Sequence, residues 1–315
     1  MRYFVISDVH SFYSEMMSSL KQCGFNKKDP NHTLIVCGDV FDRGEESVEV
    51  YKFLKSIPKK RCILIRGNHE QLYFQLLNKK YPENHDFSNG TVGTFCQIAA
   101  EETKISEFLS LEYDLERPVY YEKYRKSFLE IEKDGKKYIL DNVQSLWNYI
   151  RDVVKNSEIT KWLQSKQWVN YYELDKYIFV HSFIPLKWIP ERGLNEDYCI
   201  YYGWTQMFES KPNWRESTLE EWQTATWGCA YKFFDAGFFD EEIKKGKVLV
   251  CGHYRCSEFN VHYLGKDVHD IYFGKNLIAI DCTTALTFNV NVLVIDGDRC
   301  YNQRNELLEV KEREK

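Results

Sequence analysis

The sequence predicts an α/β chain of two packed mixed sheets flanked by helices, with a helical insertion, and three observations carry that prediction. Apolar, β-rich runs alternate with helical segments through the first eighty residues. A charged, aromatic-rich region follows from about residue 80 to 175, and strand signals then return toward the C-terminus. Alternation of this kind is the grammar of βαβ units, whose crossovers are right-handed.

The first run, YFVI, leads into SFYSEMMSSLKQCG, where Ser11 or Ser14 can cap a helix and Gly24 can close it. The second, TLIV, leads to EESVEVYKFLKSI. That segment sets Val48, Tyr51, Leu54 and Ile57 on one helical face, with acidic residues in the first turn where the helix dipole favours them. The third, CILI, continues through NHEQLYFQLLNKK to the basic pair Lys79 and Lys80. Within the insertion, EKYRKSFLEIEKDGKKY and SLWNYIRDVVKNSEITKWLQSKQW read mainly as helix, as a solvated face or lid, with a docking surface for a partner as the alternative. YIFVHS, KVLVCGH, NLIAIDC and VNVLVID then succeed one another as a second sheet packed on the first, and ELLEVKEREK reads as a solvated helix end. The organisation is one domain over residues 1–300, an insertion or cap at about 80–175, and a charged tail over 301–315.

Bulk composition narrows the function classes. Charged residues make up 28%, the net charge is -5 and the pI is about 6.0, so no basic field draws the chain to nucleic acid or an anionic membrane. The apolar run in MRYFVISDVH is too brief for a signal-peptide core or a membrane span, and no later segment is long enough. Ten cysteines are scattered without a CxxC pair, which reads as reduced, mostly buried thiols in a cytoplasmic protein. Core packing accounts for most of the 22 Tyr, 20 Phe and 8 Trp, although aromatic rings also stack bases.

The chemistry sits at the strand ends, which converge on one crevice in an open α/β sheet. The first run ends in Asp8 and His10, the second in Asp39, Asp42 and Arg43, the third in Arg66, Asn68 and His69. Two later strands end in His181 and His253. Carboxylates, imidazoles and an amide oxygen suit borderline and hard divalent ions, and the set exceeds what one ion needs. Two divalent metal ions are implied, Mn²⁺ first, with Fe, Zn or Ni as alternatives. A bridging carboxylate would let both ions stabilise an in-line displacement at phosphorus, with arginine forks on the remaining phosphate oxygens. Gly38, Gly44 and Gly67 allow the turns such an approach requires.

Taken in order, DVH, GDVFDRG, RGNHE, VHS and GH resemble the calcineurin-like metallophosphoesterases. Within them they resemble the phosphoprotein phosphatase branch that includes phage and bacterial Ser/Thr phosphatases and symmetric diadenosine tetraphosphatases. The likeness is dense over residues 3–75 and sparse over about 175–295. It implies that Asp8, His10 and Asp39 hold one metal, that Asp39, Asn68, His181 and His253 hold the other, and that Asp39 bridges. It also implies that His69, oriented by Asp42, protonates the leaving alcohol, while Arg43 and Arg66 hold the phosphoryl oxygens. The implied reaction is hydrolysis of phosphomonoesters by direct attack of a metal-bound hydroxide without a phosphoenzyme. Phosphoserine or phosphothreonine in proteins is the first substrate implied, and a small phosphorylated substrate such as diadenosine tetraphosphate the alternative. A non-catalytic scaffold is the rival from another class.

The chain departs from that pattern in its second half. The branch carries a Trp-x-Arg element, but WTQ at 204–206 and WGC at 227–229 lack the arginine, and Arg255 in CGHYRC is the expected substitute. IDCTTALTFNV resembles a family segment without its glycine, and NGTVGT at 89–94 resembles another stretch near the pocket. His32, His85, His262 and His269 show no partner pattern.

Overall fold

YFVI, TLIV and CILI become three parallel neighbours: β1 (Arg2–Ile6), β2 (His32–Cys37) and β3 (Cys62–Ile65). The computed structural model describes residues 1–116, 129–133, 136–140, 142–190 and 194–310. These runs are apolar without alternation because both faces of the sheet are covered. Phe4, Ile6, Leu34 and Val36 point into one core, and Val5, Ile35 and Cys37 into another.

The first sheet has the order β15-β14-β1-β2-β3-β6, completed by β6 (Trp168–Val169), β14 (Leu293–Asp296) and β15 (Arg299–Tyr301). The second has the order β12-β13-β11-β8-β7. In it β8 (Tyr177–Phe179), β11 (Val248–Cys251) and β13 (Leu277–Ala279) run parallel, flanked by antiparallel β7 (Tyr172–Glu173) and β12 (Tyr272–Phe273). Phe179, Val250 and Ile278 face the first sheet, while Ile178, Leu249 and Leu277 face helices on the far side. The period of two thus divides each strand between two cores and stacks the layers helix, sheet, sheet, helix. A two-stranded ribbon, β9 (Lys187–Trp188) with β10 (Phe208–Glu209), stands apart.

One strand lands elsewhere than its sequence position suggests. VNVLVID was expected to extend the second sheet, but β14 pairs antiparallel with β1 in the first. An apolar run states that it is buried, not which sheet buries it.

The helices of the first half are α1 (Tyr13–Gln22), α2 (Ser47–Ser56), α3 (Asn68–Asn78), α4 (Asn84–Ser88), α5 (Thr91–Thr103), α6 (Leu111–Glu116), α7 (Val143–Asn156) and α8 (Glu158–Leu163). Val48, Tyr51, Leu54 and Ile57 are all buried on the α2 side. Neither serine caps α1: Ser11 bonds Ser47 instead at 2.8 Å, and the Ser14 N–H and hydroxyl donate to Glu46. Within the insertion, Phe95, Leu146, Trp147, Ile150 and Trp162 share one core with the first sheet, so α5, α7 and α8 are its outer layer and not a solvated face. Asn142 and Ser157 cap α7 and α8 by accepting the Ser145 and Thr160 N–H groups.

Part of the expected helix is a hairpin. β4 (Leu129–Lys133) pairs antiparallel with β5 (Lys136–Leu140). Residues 134 and 135 lie outside the described residues, but their sequence, Asp-Gly, is a hairpin signal that outweighs helical propensity. The preceding residues 122–128 of that stretch lie outside the described residues. Nor does the tail continue as helix over 306–310, where Leu307 bridges back to Tyr301 and the Leu308 N–H donates to the Cys300 carbonyl; 311–315 lie outside the described residues.

The second helical layer comprises α9 (Glu196–Tyr202), α10 (Leu219–Ala225), α11 (Ala230–Asp235), α12 (Asp240–Lys244), α13 (Cys256–Leu264) and α14 (Thr284–Thr287). Arg215 ties it together: its guanidinium donates twice to Glu242 of α12 at 2.8 Å each and once to Glu173 of β7 at 2.5 Å, stacked on Trp214. The paired guanidinium, against the opposing pull of burial, depresses the Glu242 carboxyl to about 2. Arg215→Ala should cost about 2–3 kcal/mol, because it strips a buried carboxylate of its bidentate partner and leaves it only Lys245 at 3.0 Å and the Trp214 indole at 3.3 Å. A depressed folded-state pKa contributes stability above the ordinary glutamate value and loses it as pH falls toward about 2. The Tm gap between wild type and variant should therefore narrow between about pH 5 and pH 3; a gap constant across that range would refute the pairing.

All ten cysteines are buried and free of disulfides. Among the described residues no helix is long and apolar enough to cross a membrane.

Candidate metal centre

Five strands from both sheets end at one edge and deliver the expected side chains there. Asp8 and His10 follow β1, Asp39 follows β2, Asn68 and His69 open α3 after β3, His181 follows β8 and His253 follows β11. Delivering so many donors to one point bends the backbone. Asp8, His10, Ser11, Asp39, Asp42, Arg43 and His253 are all left-handed, with φ between 49° and 76°. Such residues cost about 1–3 kcal/mol each and persist only where surroundings hold them. Cross-loop bonds do so: Asp8 N–H to Gly38 O at 3.1 Å, His10 N–H to Asp39 O at 3.0 Å, and Ser11 N–H to Val40 O at 2.9 Å.

Asp39 is the hub. Its Oδ2 lies 3.5 Å from His181 Nε2, 3.8 Å from His10 Nε2 and 3.9 Å from His69 Nε2, while Oδ1 accepts the His69 backbone N–H at 2.9 Å. His10 Nε2 is 4.0 Å from Asp8 Oδ1, and Asp8 Oδ2 accepts the His253 N–H at 3.0 Å. Asn68 Oδ1 stands 2.8 Å from His181 Nε2. Two donors each about 2.1 Å from a shared ion can be at most about 4.2 Å apart. The Asp39 separations fit that limit, and Asp39, His181 and His253 form one donor group while His10, Asp39 and His69 form another.

Outer contacts aim the rings. His10 Nδ1 is 3.1 Å from Phe41 O and His181 Nδ1 is 2.8 Å from Cys37 O, which turns Nε2 of each inward. His69 is engaged differently. Its Nδ1 is 2.7 Å from Asp42 Oδ2, and its Nε2 lies 3.3 Å from the Arg43 guanidinium, a poor neighbour for a second cation. Asp42 is fully buried and accepts hydroxyls from Thr91 at 2.9 Å and Thr94 at 2.8 Å, both from NGTVGT.

Burial lowers His10 far below the ordinary imidazole range and His253 to about 3, so both are neutral lone-pair donors. Burial alone would raise Asp39, but four surrounding histidines outweigh it and hold the carboxyl below its usual range. Burial and the Asp39 charge lift Asp8 to about 6 despite His181. Burial opposes protonation of His181, but the Asp39 and Asp8 charges raise it overall. A buried carboxylate ringed by imidazoles, an amide oxygen and a second carboxyl is a donor set that fits divalent cations. Burial pulls His69 down as well, but the charge of Asp39 and the Asp42 hydrogen bond raise it overall.

Two expected members stand apart. Arg66 faces a neighbouring cavity and not the donor cluster. Arg255 is exposed at the start of α13, where its charge acts on Glu258. Arg43 takes the central place, its charge felt by His10, His69, His253 and Asp281.

Four supporting residues had no role assigned from the sequence, although three of them lie in WGC and IDCTTALTFNV. Glu70 accepts the N–H groups of Asp39, Val40 and Gly67 at 2.7–3.1 Å and so clamps the second and third loops together. The final glutamate of RGNHE was the available signal. Asp281, whose carboxyl burial and Asp8 push well up, accepts the Thr283 N–H, and the Thr284 hydroxyl donates to the Asp8 carbonyl at 2.8 Å. Trp227 sets its ring against His253, centroids 6.0 Å apart, and donates to Gln71 at 3.2 Å.

Gly67 is required by proximity: a Cβ there would lie 2.1 Å from Asp39 Oδ1. Gly67→Ala should therefore displace Asp39 and slow metal-dependent hydrolysis by about 10²-fold, the usual cost of an ångström-scale misplacement. An unchanged rate would refute the crowding.

Comparison with known proteins gives the family and the fold. Residues 1–295 match the model of the calcineurin-like phosphoesterase family. Among curated proteins, an asymmetrical bis(5'-nucleosyl)-tetraphosphatase, PrpE, of Bacillus velezensis is 32% identical over 120 residues, which is 35% of this chain and 48%, about half, of that protein. Its counterpart in Halalkalibacterium halodurans is 25% identical over 221 residues, covering 64% of this chain and 87% of that protein. Among solved structures, a cold-active protein tyrosine phosphatase superposes with a TM-score of 0.52 at 17% identity, over 98% of this chain and 79% of that one. That likeness speaks for the fold alone. With the matched family model extending from the first strand to β14, and the donor cluster at the strand ends, the chain belongs to the calcineurin-like phosphoesterases, metal-dependent hydrolases of phosphoric esters.

Proposed function

We propose that the protein hydrolyses a phosphate bond in a nucleotide substrate of the dinucleoside polyphosphate kind. The observation that carries the reaction is His69: one ring nitrogen is held by Asp42, and the other sits 3.3 Å from Arg43 and 3.9 Å from Asp39. In this reading Asp8, His10 and Asp39 hold one divalent ion, and Asp39, Asn68, His181 and His253 hold the other, with manganese the proposed metal. The ion pair, when bound, supplies Lewis acidity and a nucleophile at neutral pH. Arg43 grips the phosphoryl oxygens, and His69 in its imidazolium form, oriented by Asp42 at Nδ1, gives the Nε2 proton to the leaving oxygen and is left as the Nδ1–H tautomer. The substrate class is supported by the relatives named above and by the wall of Tyr198, Tyr201, Tyr202 and Trp227 beside His253. The three tyrosines are about half exposed, as stacking surfaces are. Free buried thiols suit a cytoplasmic setting.

Phosphoserine or phosphothreonine in a protein is the second reading, and the His69–Asp42 pair favours it, because a serine alkoxide leaves poorly without a proton. The test is hydrolysis by chelator-stripped protein, with and without Mn²⁺, of p-nitrophenyl phosphate, diadenosine tetraphosphate and a phosphoserine peptide. Mn²⁺-dependent turnover with kcat/KM at least about tenfold higher on the dinucleotide is the expected result, a difference of about 1.4 kcal/mol. The reverse order assigns the second reading, and silence on every substrate with two ions bound refutes catalysis.

A further inference from the structure

A cavity that the reaction does not use lies between α3, α8, β6 and α10, adjoining the metal centre. It holds about 330 Å³, at the lower end of small-molecule sites, about 300–1,000 Å³. Phe74, Leu163, Trp168 and Trp222 wall it, and the last three are buried, which holds their surfaces rigid. Arg66 stands at the Gly67 side, half-buried. Its guanidinium makes no hydrogen bond or ion pair with any described residue. The carboxamides of Gln164, Asn170 and Gln223 border the same space and also lack hydrogen-bond partners among the described residues.

We infer that this cavity binds a nucleobase of the substrate. Flat apolar walls admit a planar ring. The carboxamides offer both donors and acceptors, which a heterocycle edge can pair and a benzenoid side chain would leave unsatisfied. An arginine fork fits the two-acceptor edge of a guanine, and a partly desolvated, unpaired guanidinium gains most from an acceptor. The volume takes a base with part of its ribose but excludes a folded segment. Gly67 and Glu70 line the cavity and bracket Asn68 and His69, so a base seated here directs its phosphate chain toward the donor cluster. Arg66 is then a positioning residue for the base, not a grip on the transferred phosphoryl group. The inference deepens the nucleotide reading above and rests on it for the phosphate's destination, not for base binding itself.

The test titrates chelator-stripped full chain with adenosine, guanosine, cytidine and uridine while tryptophan fluorescence is followed; these probes carry no phosphate for the metal centre to hold. Saturable quenching by at least one nucleoside is expected. Asn170→Leu with Gln223→Leu, and separately Arg66→Gln, should each weaken it at least about fivefold, a loss of about 1 kcal/mol. In the loaded enzyme the ratio of kcat/KM for diadenosine tetraphosphate to that for p-nitrophenyl phosphate should fall by the same factor. If circular dichroism shows the double variant misfolded, Arg66→Gln decides, since that side chain is half in solvent. Absence of saturable quenching by any nucleoside, quenching indifferent to the variants, or quenching by a phosphoserine peptide alone overturns the inference. Nucleoside binding without turnover of any phosphate substrate leaves it standing and refutes the catalytic reading instead.

Discussion

Asp39→Asn should lower hydrolysis by at least about 10³-fold and release metal from both donor groups at once. Asp39 Oδ2 is 3.8 Å from His10 on one side and 3.5 Å from His181 on the other, so this one carboxylate is the donor both metal positions share. Removing its charge removes the counter-charge for two cations, and a loss of several kcal/mol of metal-derived stabilisation is about three decades in rate. The substitution isolates charge well. Asparagine has nearly the same shape and tolerates the left-handed backbone that Asp39 adopts at φ 54° as readily as aspartate does. Elemental analysis after gel filtration, alongside p-nitrophenyl phosphate hydrolysis, reads both consequences. Retention of two ions per chain would contradict the shared role, and loss of one alone would confine Asp39 to a single site.

His69→Asn should behave oppositely, keeping its metal while slowing hydrolysis by about 10²–10⁴-fold, the worth of a positioned general acid. The slowing should be largest for esters with poor leaving groups, since those need the proton most. The pH dependence carries a sign as well. Burial opposes protonation of His69, but Asp39 and Asp42 together raise it above the ordinary imidazole value. The acid form therefore persists past that value and declines as pH rises through the raised one, so kcat falls on an alkaline limb that His69→Asn should abolish. Equal slowing for good and poor leaving groups, or an alkaline limb surviving in the variant, would remove His69 from that role.

Much of this site was legible in one dimension because each cluster is short. Asp8 and His10, Asp39 and Asp42 with Arg43, and Asn68 with His69 each sit a few residues past an apolar run, and a parallel sheet carries such positions to a common edge. Their order was informative too. Thr91 and Thr94 were harder to read, since they reach Asp42 from 49 and 52 residues away and ordinary threonines mark many helix starts. Arg66 shows the limit from the other side. Its neighbour Gly67 packs on Asp39, yet Arg66 itself lines a different cavity, because successive residues leaving a strand diverge. Arg255 stayed outside the cluster altogether, on the exposed start of a helix.

The sequence by itself determined the strands, the donor types and their convergence, since apolar periodicity and turn chemistry act over a few residues. Only the tertiary structure decided that β14 closes the first sheet, that α5, α7 and α8 belong to its core, and that Glu70 locks two loops with three hydrogen bonds. The physical reason is the same in each case. Burial and hydrogen bonding reward whichever distant partner completes the packing, and a run of apolar or acidic residues does not encode which partner that is.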